Sequence, residues 1–434
     1  MTTQTIDTPV LSGSALRSVN FFNGRLLTGD DLSSEQNAQV ARAQRLGRAV
    51  GDGVAYGLEV RAQAGSQPEQ PVVAVAAGVA LSRSGVALEL SSSVEISLAR
   101  AVATAGSEPG GLFADCQPYA PGTYTAGAGV YLLTIGPAQQ GDGLAPVNGL
   151  GNASSPCNVA TEIETVKFRL IRLALTTAEL SDTQKLRNHV AYLCFAPEAL
   201  AGFIADPFGA PPTTYGLIDE LRAQTLSDDE VPLAVIGWTA DTGIDFVDLW
   251  SVRRRITRRS AEDGLAALAG DRRRTEAEAM FLQFTDQLRD LQAGPHPEQV
   301  VAAATFDWLP PAGLVPIGGL AAGAFDIDLF FSATTTRGPA TLEGSRLIQL
   351  LDTARSYPPI DVADLTKDAT VGGPGASVAV GVLWLYLVRE NVAATADVPP
   401  PQSYVAFTTG HVPYQADARF DLAHWNLANY AEID

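Results

Sequence analysis

The sequence predicts an α+β protein with a β-rich, sandwich-like N-terminal domain, a central helical neck or hairpin, and a mixed C-terminal domain. Short apolar or alternating runs separated by turn residues occupy much of residues 53–175, a pattern typical of short strands. Between residues 250 and 293, apolar side chains recur at spacings of three and four, which indicates amphipathic helices. Residues 377–388 form the most apolar run, and their β-branched and aromatic content favours a central strand.

The length of the chain places these regions in separate units, because 434 residues exceed the size of a typical single core. We predict five segments. They are a flexible arm (1–18), a β-rich N-terminal domain with long loops (19–175), a mixed α/β linker region (176–249), a helical neck (250–294) and a mixed C-terminal domain (295–434).

The first predicted element is a helix that runs to about Val50. Thr28 or Asp30 can cap its first turn, where acidic residues suit the positive end of the helix dipole. Its apolar stripe is thin, so we expect the helix to pack on one side against a sheet. The stripe consists of Leu32, Val40, Leu46 and Val50.

Strands are predicted next, separated by turns and by one long loop. The loop covers residues 136–158, and a connection of that length inside a domain is usually functional or ordered by a partner. The strand-like runs are residues 72–75, 85–90, 94–98, 130–135 and 166–175.

The pattern changes to helical spacing after residue 176. Residues 180–193 and 217–226 each predict a helix, and prolines interrupt the stretch between them. Residues 231–238 and 244–249 then predict a pair of strands joined by a turn at Asp241-Thr-Gly.

The strongest helical signal spans residues 250–293 and divides at Gly270 into an arginine-rich half and a mixed half. The apolar stripe of the second half must be buried against a sheet, a hairpin or another subunit. That stripe consists of Ala277, Phe281, Phe284, Leu288 and Leu291. Further along, residues 342–354 predict a helix and residues 403–407 a short strand.

Composition and charge exclude several classes of function. The formal net charge of −19 argues against nucleic acid or an anionic membrane as a partner, because phosphate contacts require positive potential. No run of about 18 apolar residues predicts a transmembrane segment, and the N-terminus lacks the pattern of a signal peptide. Basic residues are almost all arginine, which fits either genome composition or bidentate pairing at interfaces.

No motif predicts a catalytic, cofactor-binding or metal site. The three cysteines lie far apart, as free thiols of a reducing compartment do. The four histidines are scattered, and His189, within a helical pattern, is expected to be structural. No phosphate-binding loop or Gly-x-Ser-x-Gly elbow is present. We therefore predict no cofactor.

The segment before and within the first helix carries a family resemblance. Two aromatics, a variable residue, Gly-Arg, an apolar pair, Thr, an acidic pair and Glu-Gln resemble the opening of proteins encoded with phage-tail-like contractile injection systems. The matching residues are Phe21, Phe22, Gly24, Arg25, Leu26, Leu27, Thr28, Asp30, Asp31, Glu35 and Gln36, followed by Gly57, Leu58, Glu59 and Val60. Relatives have a Gly-Trp-Gly type of return where this chain has Gly53-Val-Ala-Tyr.

Later patches are also similar to these systems, at residues 337–344, 350–361 and 385–391. A looser likeness links the layout to the type VI secretion baseplate subunit that joins the baseplate to the membrane complex, and to phage receptor-binding proteins. Those proteins combine a β-rich shoulder, a helical neck and a C-terminal head in trimers. This is a likeness of architecture, and function has to be argued from surfaces and sites.

The resemblance implies a non-enzymatic structural adaptor of a phage-tail-like contractile injection particle. It implies a baseplate, fibre or cap position, other particle subunits as partners and a homo-oligomer, with a trimer favoured. Such a protein is made in the bacterial cytoplasm and joins a particle that can act outside the cell. The implied contact residues are Phe21, Phe22, Gly24, Arg25, Asp30, Asp31, Glu35, Gln36, Gly57, Leu58, Arg337 and Arg389.

Strand alternation predicts that one of Phe21 and Phe22 points into the core of this domain and the other outward. Two other functions stay open. One is a receptor- or carbohydrate-binding module that uses loops such as residues 136–158 on a β scaffold. The less favoured one is a cell-wall hydrolase carried by the particle, which would need a cleft with paired carboxylates.

Overall fold

The structure is a computed structural model that describes residues 15–64, 71–101, 123–125, 129–146, 157–195, 216–239, 241–257, 271–318, 325–355, 357–366, 381–392 and 403–409. It confirms the predicted α+β class, because helices and several separate sheets both form.

The N-terminal part begins with helix α1 (Gly29–Val50), which two three-stranded antiparallel sheets follow. The first sheet contains β1 (Gly53–Gly57), β4 (Gly78–Leu81) and β5 (Ala87–Leu90), in the order β1-β4-β5. The second contains β2 (Val60–Ala62), β3 (Val72–Val75) and β6 (Val94–Ser97), in the order β2-β3-β6. A separate strand pair joins β7 (Ala99–Ala101) to β8 (Thr123–Thr125).

A four-stranded antiparallel sheet forms the centre of the molecule, in the order β10-β9-β11-β12. Its strands are β9 (Gly129–Pro146), β10 (Cys157–Arg172), β11 (Val231–Thr239) and β12 (Gly243–Asp248). One face shares a core with the N-terminal sheets through side chains such as Leu58, Val73, Leu133 and Ile236. The predicted pair of strands at residues 231–249 is confirmed.

The prediction of a loop at residues 136–158 is wrong for the part of this stretch that the structure describes. Residues 136–146 continue β9 and pair residue by residue with β10, from Gly136 opposite Lys167 to Pro146 opposite Cys157. Residues 147–156 lie outside the described part of the chain. The sequence pattern missed this strand because its residues are mainly glycine and polar. The pairing depends on backbone hydrogen bonds, which need no apolar side chains.

Helices α2 (Thr177–Ser181), α3 (Leu186–Phe195), α4 (Gly216–Arg222) and α5 (Asp271–Gln292) follow, and α3 contacts β12, α4 and α5. The prediction of a helix from residue 250 is wrong for residues 250–257, which form a turn and two isolated bridges to Asp52 and Val54. Arginine side chains hold this stretch: Arg253 donates to the Gly57 carbonyl at 2.5 Å and Arg254 to the Ser251 carbonyl at 3.0 Å. Residues 258–270 lie outside the described residues.

The C-terminal part contains the short helices α6 (Ala302–Thr305) and α7 (Ile327–Phe330), the helix α8 (Gly344–Ala354) and the short helix α9 (Val362–Thr366). Two short strands, β13 (Trp308–Leu309) and β16 (Ile360–Asp361), pair with each other. A mixed sheet contains β14 (Ala312–Gly318), β15 (Thr336–Leu342), β17 (Leu383–Val388) and β18 (Ser403–Thr409), in the order β14-β18-β17-β15. The predicted helix at 342–354 and the strand at 403–407 are confirmed, and β17 is an inner strand of this sheet, as predicted.

Phenylalanines dominate the C-terminal core, and helix α5 contributes to it. Phe284 of α5 contacts the rings of Phe306 and Phe407 at centroid distances of 5.3 and 5.5 Å. Leu288 of α5 belongs to the same buried cluster. Of the three alternatives left open for the stripe of α5, Phe284 and Leu288 are therefore buried by the chain itself and not by another subunit.

A buried polar hub joins α3, β12 and α5. Asp248, 1 % exposed, accepts hydrogen bonds from Arg187 Nε at 3.0 Å, from Gln283 Nε2 at 2.9 Å and from the Ser251 amide at 2.9 Å. Arg187 also donates to Asp290 at 2.5 Å. Burial lowers the pKa of Arg187, but the charges of Asp248 and Asp290 outweigh it and raise that pKa above its ordinary value.

The next residue of α3 extends this connection to the C-terminal part. The Asn188 side chain accepts from the Asp307 and Trp308 amides at 2.9 and 3.0 Å and donates to the Trp308 carbonyl at 3.0 Å. One turn further, the Tyr192 ring stacks on Trp308 at 3.8 Å. Consecutive turns of α3 thus contact both the central sheet and the start of the C-terminal core.

Arg187→Met is expected to lower the free energy of unfolding by about 3–5 kcal/mol, because it leaves the Asp248 carboxylate buried without its ion pair. Arg289→Met is the matched control: Arg289 is exposed and pairs with Asp286 on the same helix, so its loss should cost at most about 1 kcal/mol. Denaturant unfolding followed by circular dichroism measures both. Equal costs for the two variants would contradict the role of the hub.

Candidate assembly surface

The segment before α1 has a defined conformation although it lies outside every sheet. The chain turns at Gly24, whose φ is +91°, and the Arg25 amide donates to the Phe22 carbonyl at 3.2 Å. The Arg25 guanidinium donates to the Asn20 carbonyl at 2.9 Å and to the Asp31 carboxylate at 2.5 Å. Arg25 therefore fastens the segment to the first turn of α1. We call residues 19–28 the opening segment.

A capping box and a second carboxylate complete this attachment. The Thr28 hydroxyl accepts from the Asp31 amide at 3.2 Å, and the Thr28 amide donates to the Asp31 carboxylate at 3.1 Å. Of the two predicted caps, Thr28 is thus the residue used. Glu35 accepts from the Val19 amide at 3.1 Å and from Gln39 at 2.9 Å.

The predicted contacts Asp30 and Gln36 stand apart from this network. Both side chains are exposed, and neither makes a side-chain hydrogen bond to another described residue.

The opening segment exposes four large apolar side chains within seven residues. Phe21 is 53 % and Phe22 62 % exposed, Leu26 reaches 91 %, and Leu27 is half exposed. The prediction that one phenylalanine ring fills the core is wrong. The two faces of a strand alternate only inside a sheet, whereas this segment turns at Gly24 and pairs with no strand.

Helix α1 continues the exposed surface. It contacts the β4–β5 turn through Gly47, where an added Cβ would lie 2.2 Å from the Gly85 carbonyl oxygen, so only backbone fits there. Arg48 donates to the Ser84 carbonyl of the same turn at 2.9 Å. Helix α1 thus packs on one side against a turn of the first sheet, but its apolar stripe does not make this contact, because all the stripe residues are about half exposed or more. They are Leu32, Val40, Leu46 and Val50.

A second exposed element is the outer half of the β9–β10 hairpin, which we call the ribbon arm (residues 139–145 and 159–165). Val159 lies opposite Leu144, and Ile163 lies on the same face; all three side chains are exposed. The opposite face carries Glu162 and Glu164. The arm is therefore a two-stranded ribbon: one face, called the apolar face below, carries these apolar side chains together with Asp142, and the other face is acidic.

Gly57 and Leu58, also predicted as contacts, are structural. Leu58 is fully buried in the N-terminal core, so its prediction as a surface contact is wrong. Gly57 has a φ of +64°, and an added Cβ would lie 1.9 Å from the Ala77 carbonyl oxygen. The pair forms a tight bend between β1 and β2, which explains the glycine at position 57.

The two remaining predicted contacts, Arg337 and Arg389, lie on the C-terminal mixed sheet. Arg337 is exposed at the edge strand β15, with its guanidinium 5.5 Å from the centre of the Trp384 ring. Arg389 forms an exposed ion pair with Glu343 at 3.0 Å. No hydrogen bond or ion pair between described residues links either arginine to the opening segment.

Two side chains of types that can take part in catalysis, His189 and Cys194, are paired with carboxylates or buried. His189 lies between Glu179 and Asp307, at 3.3 Å from each. Cys194 is buried, and burial raises the pKa of its thiol to about 12, which suppresses the reactive thiolate. In the part of the chain that the structure describes, no three His, Cys, Asp or Glu residues are placed to hold a metal ion. Within the same residues, every helix is too short or too polar to cross a membrane.

Comparison with known proteins adds little. No protein-family model matches the chain, and no curated protein matches it. Among solved structures, "Crystal structure of TssK" is similar over 65 % of this chain and 52 % of its own, with 7 % identity and a TM-score of 0.25. The chain thus spans about half the length of that protein, and a likeness this weak carries no argument about function.

The attachment of the opening segment should depend on pH through Asp31. Hydrogen bonds from Thr28, helped by the charge of Arg25, hold the pKa of the Asp31 carboxyl below its ordinary value. A depressed pKa means that the carboxylate stabilises the segment above the ordinary value of about 3.9 and that this stabilisation disappears as the pH falls through the folded pKa.

Nuclear magnetic resonance titration of the Asp31 carboxyl measures this dependence. Arg25→Gln is expected to raise the pKa of Asp31 towards its ordinary value, since it removes the neighbouring positive charge. Arg42→Gln, which removes a partner of Glu35 only, should leave the titration unchanged. An unshifted pKa in Arg25→Gln would contradict the proposed attachment.

Proposed function

We propose that this chain is a non-enzymatic structural subunit of a phage-tail-like contractile injection particle and docks on neighbouring baseplate, fibre or cap subunits. The resemblance of residues 19–60 supplies the class of particle. The observation that carries the docking role is the opening segment, which is held by Arg25 and Asp31 yet exposes two phenylalanines and two leucines. The proposal does not rest on the likeness to TssK.

Exposure together with a fixed conformation favours binding. Monomeric proteins rarely expose contiguous large apolar patches, and such patches commonly mark interaction sites. A segment that is already ordered loses less conformational entropy when it binds than a flexible one does. The hydrogen bonds of Arg25 and Glu35 therefore preorganise the phenylalanines for a partner.

The ribbon arm supports the same function. A two-stranded ribbon without further cover is at best marginally stable in water, so its apolar face gains from burial by another chain. Leu144, Val159 and Ile163 would form that contact, while the acidic face stays in solvent. The receptor-binding alternative relied on a long loop at residues 136–158, and the described part of that stretch is this ribbon.

We also propose that the chain forms a homo-oligomer, with a trimer as the favoured form. The apolar stripe of α5 does not support a homo-oligomer, because Phe284 and Leu288 lie in the chain's own core. The exposed stripe of α1 is a helical surface that can supply such contacts. Size-exclusion chromatography with light scattering measures the copy number. Sheath, tube and spike genes beside the gene of this chain would support the particle assignment.

The double substitution Phe22→Ser and Leu26→Ser is expected to leave the isolated chain folded and to reduce its incorporation into particles at least about tenfold. Exposed side chains contribute little to the folded monomer, typically within about 0.5 kcal/mol, whereas truncation of apolar anchors costs binding energy. Quantitative mass spectrometry of purified particles measures incorporation. Ile348→Ser, on the exposed face of α8, is the matched control. Normal incorporation of the double variant would disprove docking through the opening segment.

Val159→Asp combined with Ile163→Asp tests the ribbon arm separately. The two carboxylates would lie on its apolar face, so we expect reduced incorporation with unchanged unfolding of the isolated chain. Glu162→Gln combined with Glu164→Gln changes the opposite face and should leave incorporation unchanged. If the two double variants behave alike, the arm does not dock through its apolar face.

A further inference from the structure

An arginine-lined cleft lies where the end of α1, residues 255–257, the first turns of α5 and Arg355 meet. Its volume is about 460 Å³. Its polar lining consists of Arg255, Arg274, Arg355, Glu278, Thr257 and Thr275. A volume of this size is in the range of small-molecule sites.

The cleft concentrates positive charge on a strongly acidic chain. Three arginines and one glutamate line it, a balance of 3 − 1 = +2, whereas the whole chain carries −19. Arg255 pairs with Glu278. Arg355 has its nearest carboxylate, Asp352, only at 3.8 Å. Arg274 is exposed and makes no hydrogen bond or ion pair with a described residue. Two of the three guanidiniums are therefore available to a ligand.

A buried arginine next to Arg274 adds to this positive potential. Arg273 is 4 % exposed and donates to the Tyr357 carbonyl at 2.6 Å, while its Nε has no hydrogen-bond partner and burial lowers its pKa. A bound anion would offset this accumulated positive charge.

We propose that the cleft binds a small multivalent oxyanion that carries phosphate or carboxylate groups, held by Arg274 and Arg355. The planar guanidinium fork donates two parallel hydrogen bonds to either group, which makes arginine the suitable residue for both. The hydroxyl of Thr257 at the wall can donate a further hydrogen bond. This site goes beyond the proposed docking function and does not depend on it.

Isothermal titration calorimetry with inorganic pyrophosphate and with citrate, at ionic strength matched with sodium chloride, tests the site on the full chain. Matched ionic strength removes general screening effects. Arg274→Gln is expected to weaken binding at least about tenfold, because it removes a charged bidentate donor. Arg61→Gln, an exposed arginine on β2 away from the cleft, is the matched control and should not change the affinity.

The outcomes separate clearly. Tighter binding of pyrophosphate identifies a phosphate site, and tighter binding of citrate identifies a carboxylate site; either supports the proposal. Absence of heat from both probes overturns it, and so does an equal loss in Arg274→Gln and Arg61→Gln. Because Arg274 pairs with no described residue, Arg274→Gln should also keep the unfolding midpoint of the parent chain, which calorimetric melting verifies.

Discussion

The buried carboxylate of Asp248 connects the central sheet with helices α3 and α5. Asp248 ends β12 in the central sheet and accepts hydrogen bonds from α3, from α5 and from the turn at Ser251. A charge removed from water is tolerated only when it is paired and fully hydrogen-bonded. The position of α5 relative to the sheet is therefore constrained to the geometry that satisfies Asp248, and any slip would leave that charge unpaired.

This constraint determines which apolar surfaces are used inside the chain. While Gln283 donates to Asp248, a neighbouring side of α5 brings Phe284 and Leu288 into the C-terminal core. Asn188 and Tyr192 then fasten that core to α3. Helix α5 thus contacts the central sheet through Gln283 and the C-terminal core through Phe284 and Leu288. Among the described residues, the opening segment, α1 and the ribbon arm each keep several large apolar side chains exposed.

The exposed surfaces differ in chemistry, and two of them meet at the end of α1. Val50 is the last residue of the α1 stripe and also lines the arginine-rich cleft, so an apolar and a cationic surface meet at that point. The ribbon arm, by contrast, pairs apolar residues with glutamates. A subunit that contacts several neighbours needs such distinct surfaces, because complementary charge selects partners while apolar burial supplies affinity.

Local signals in the sequence were sufficient for much of the fold. A helix cap at Thr28 or Asp30, the strand pair at residues 231–249, the helix at residues 342–354 and a central strand within residues 377–388 were all predicted, since each depends on neighbours a few residues away. The opening motif coincides with an exposed apolar segment that Arg25, Asp31 and Glu35 hold in place.

Only the tertiary structure decided the rest, because it depends on contacts between distant residues. The ribbon arm exists because β9 and β10 pair along their whole length, and the arginines at 253 and 254 bind backbone carbonyls in place of forming a helix. Phe22 faces outward and Leu58 inward although both belong to the same family motif, since burial is set by what surrounds a side chain. The arginine-lined cleft joins residues up to about 300 positions apart, and no spacing along the chain could have revealed it.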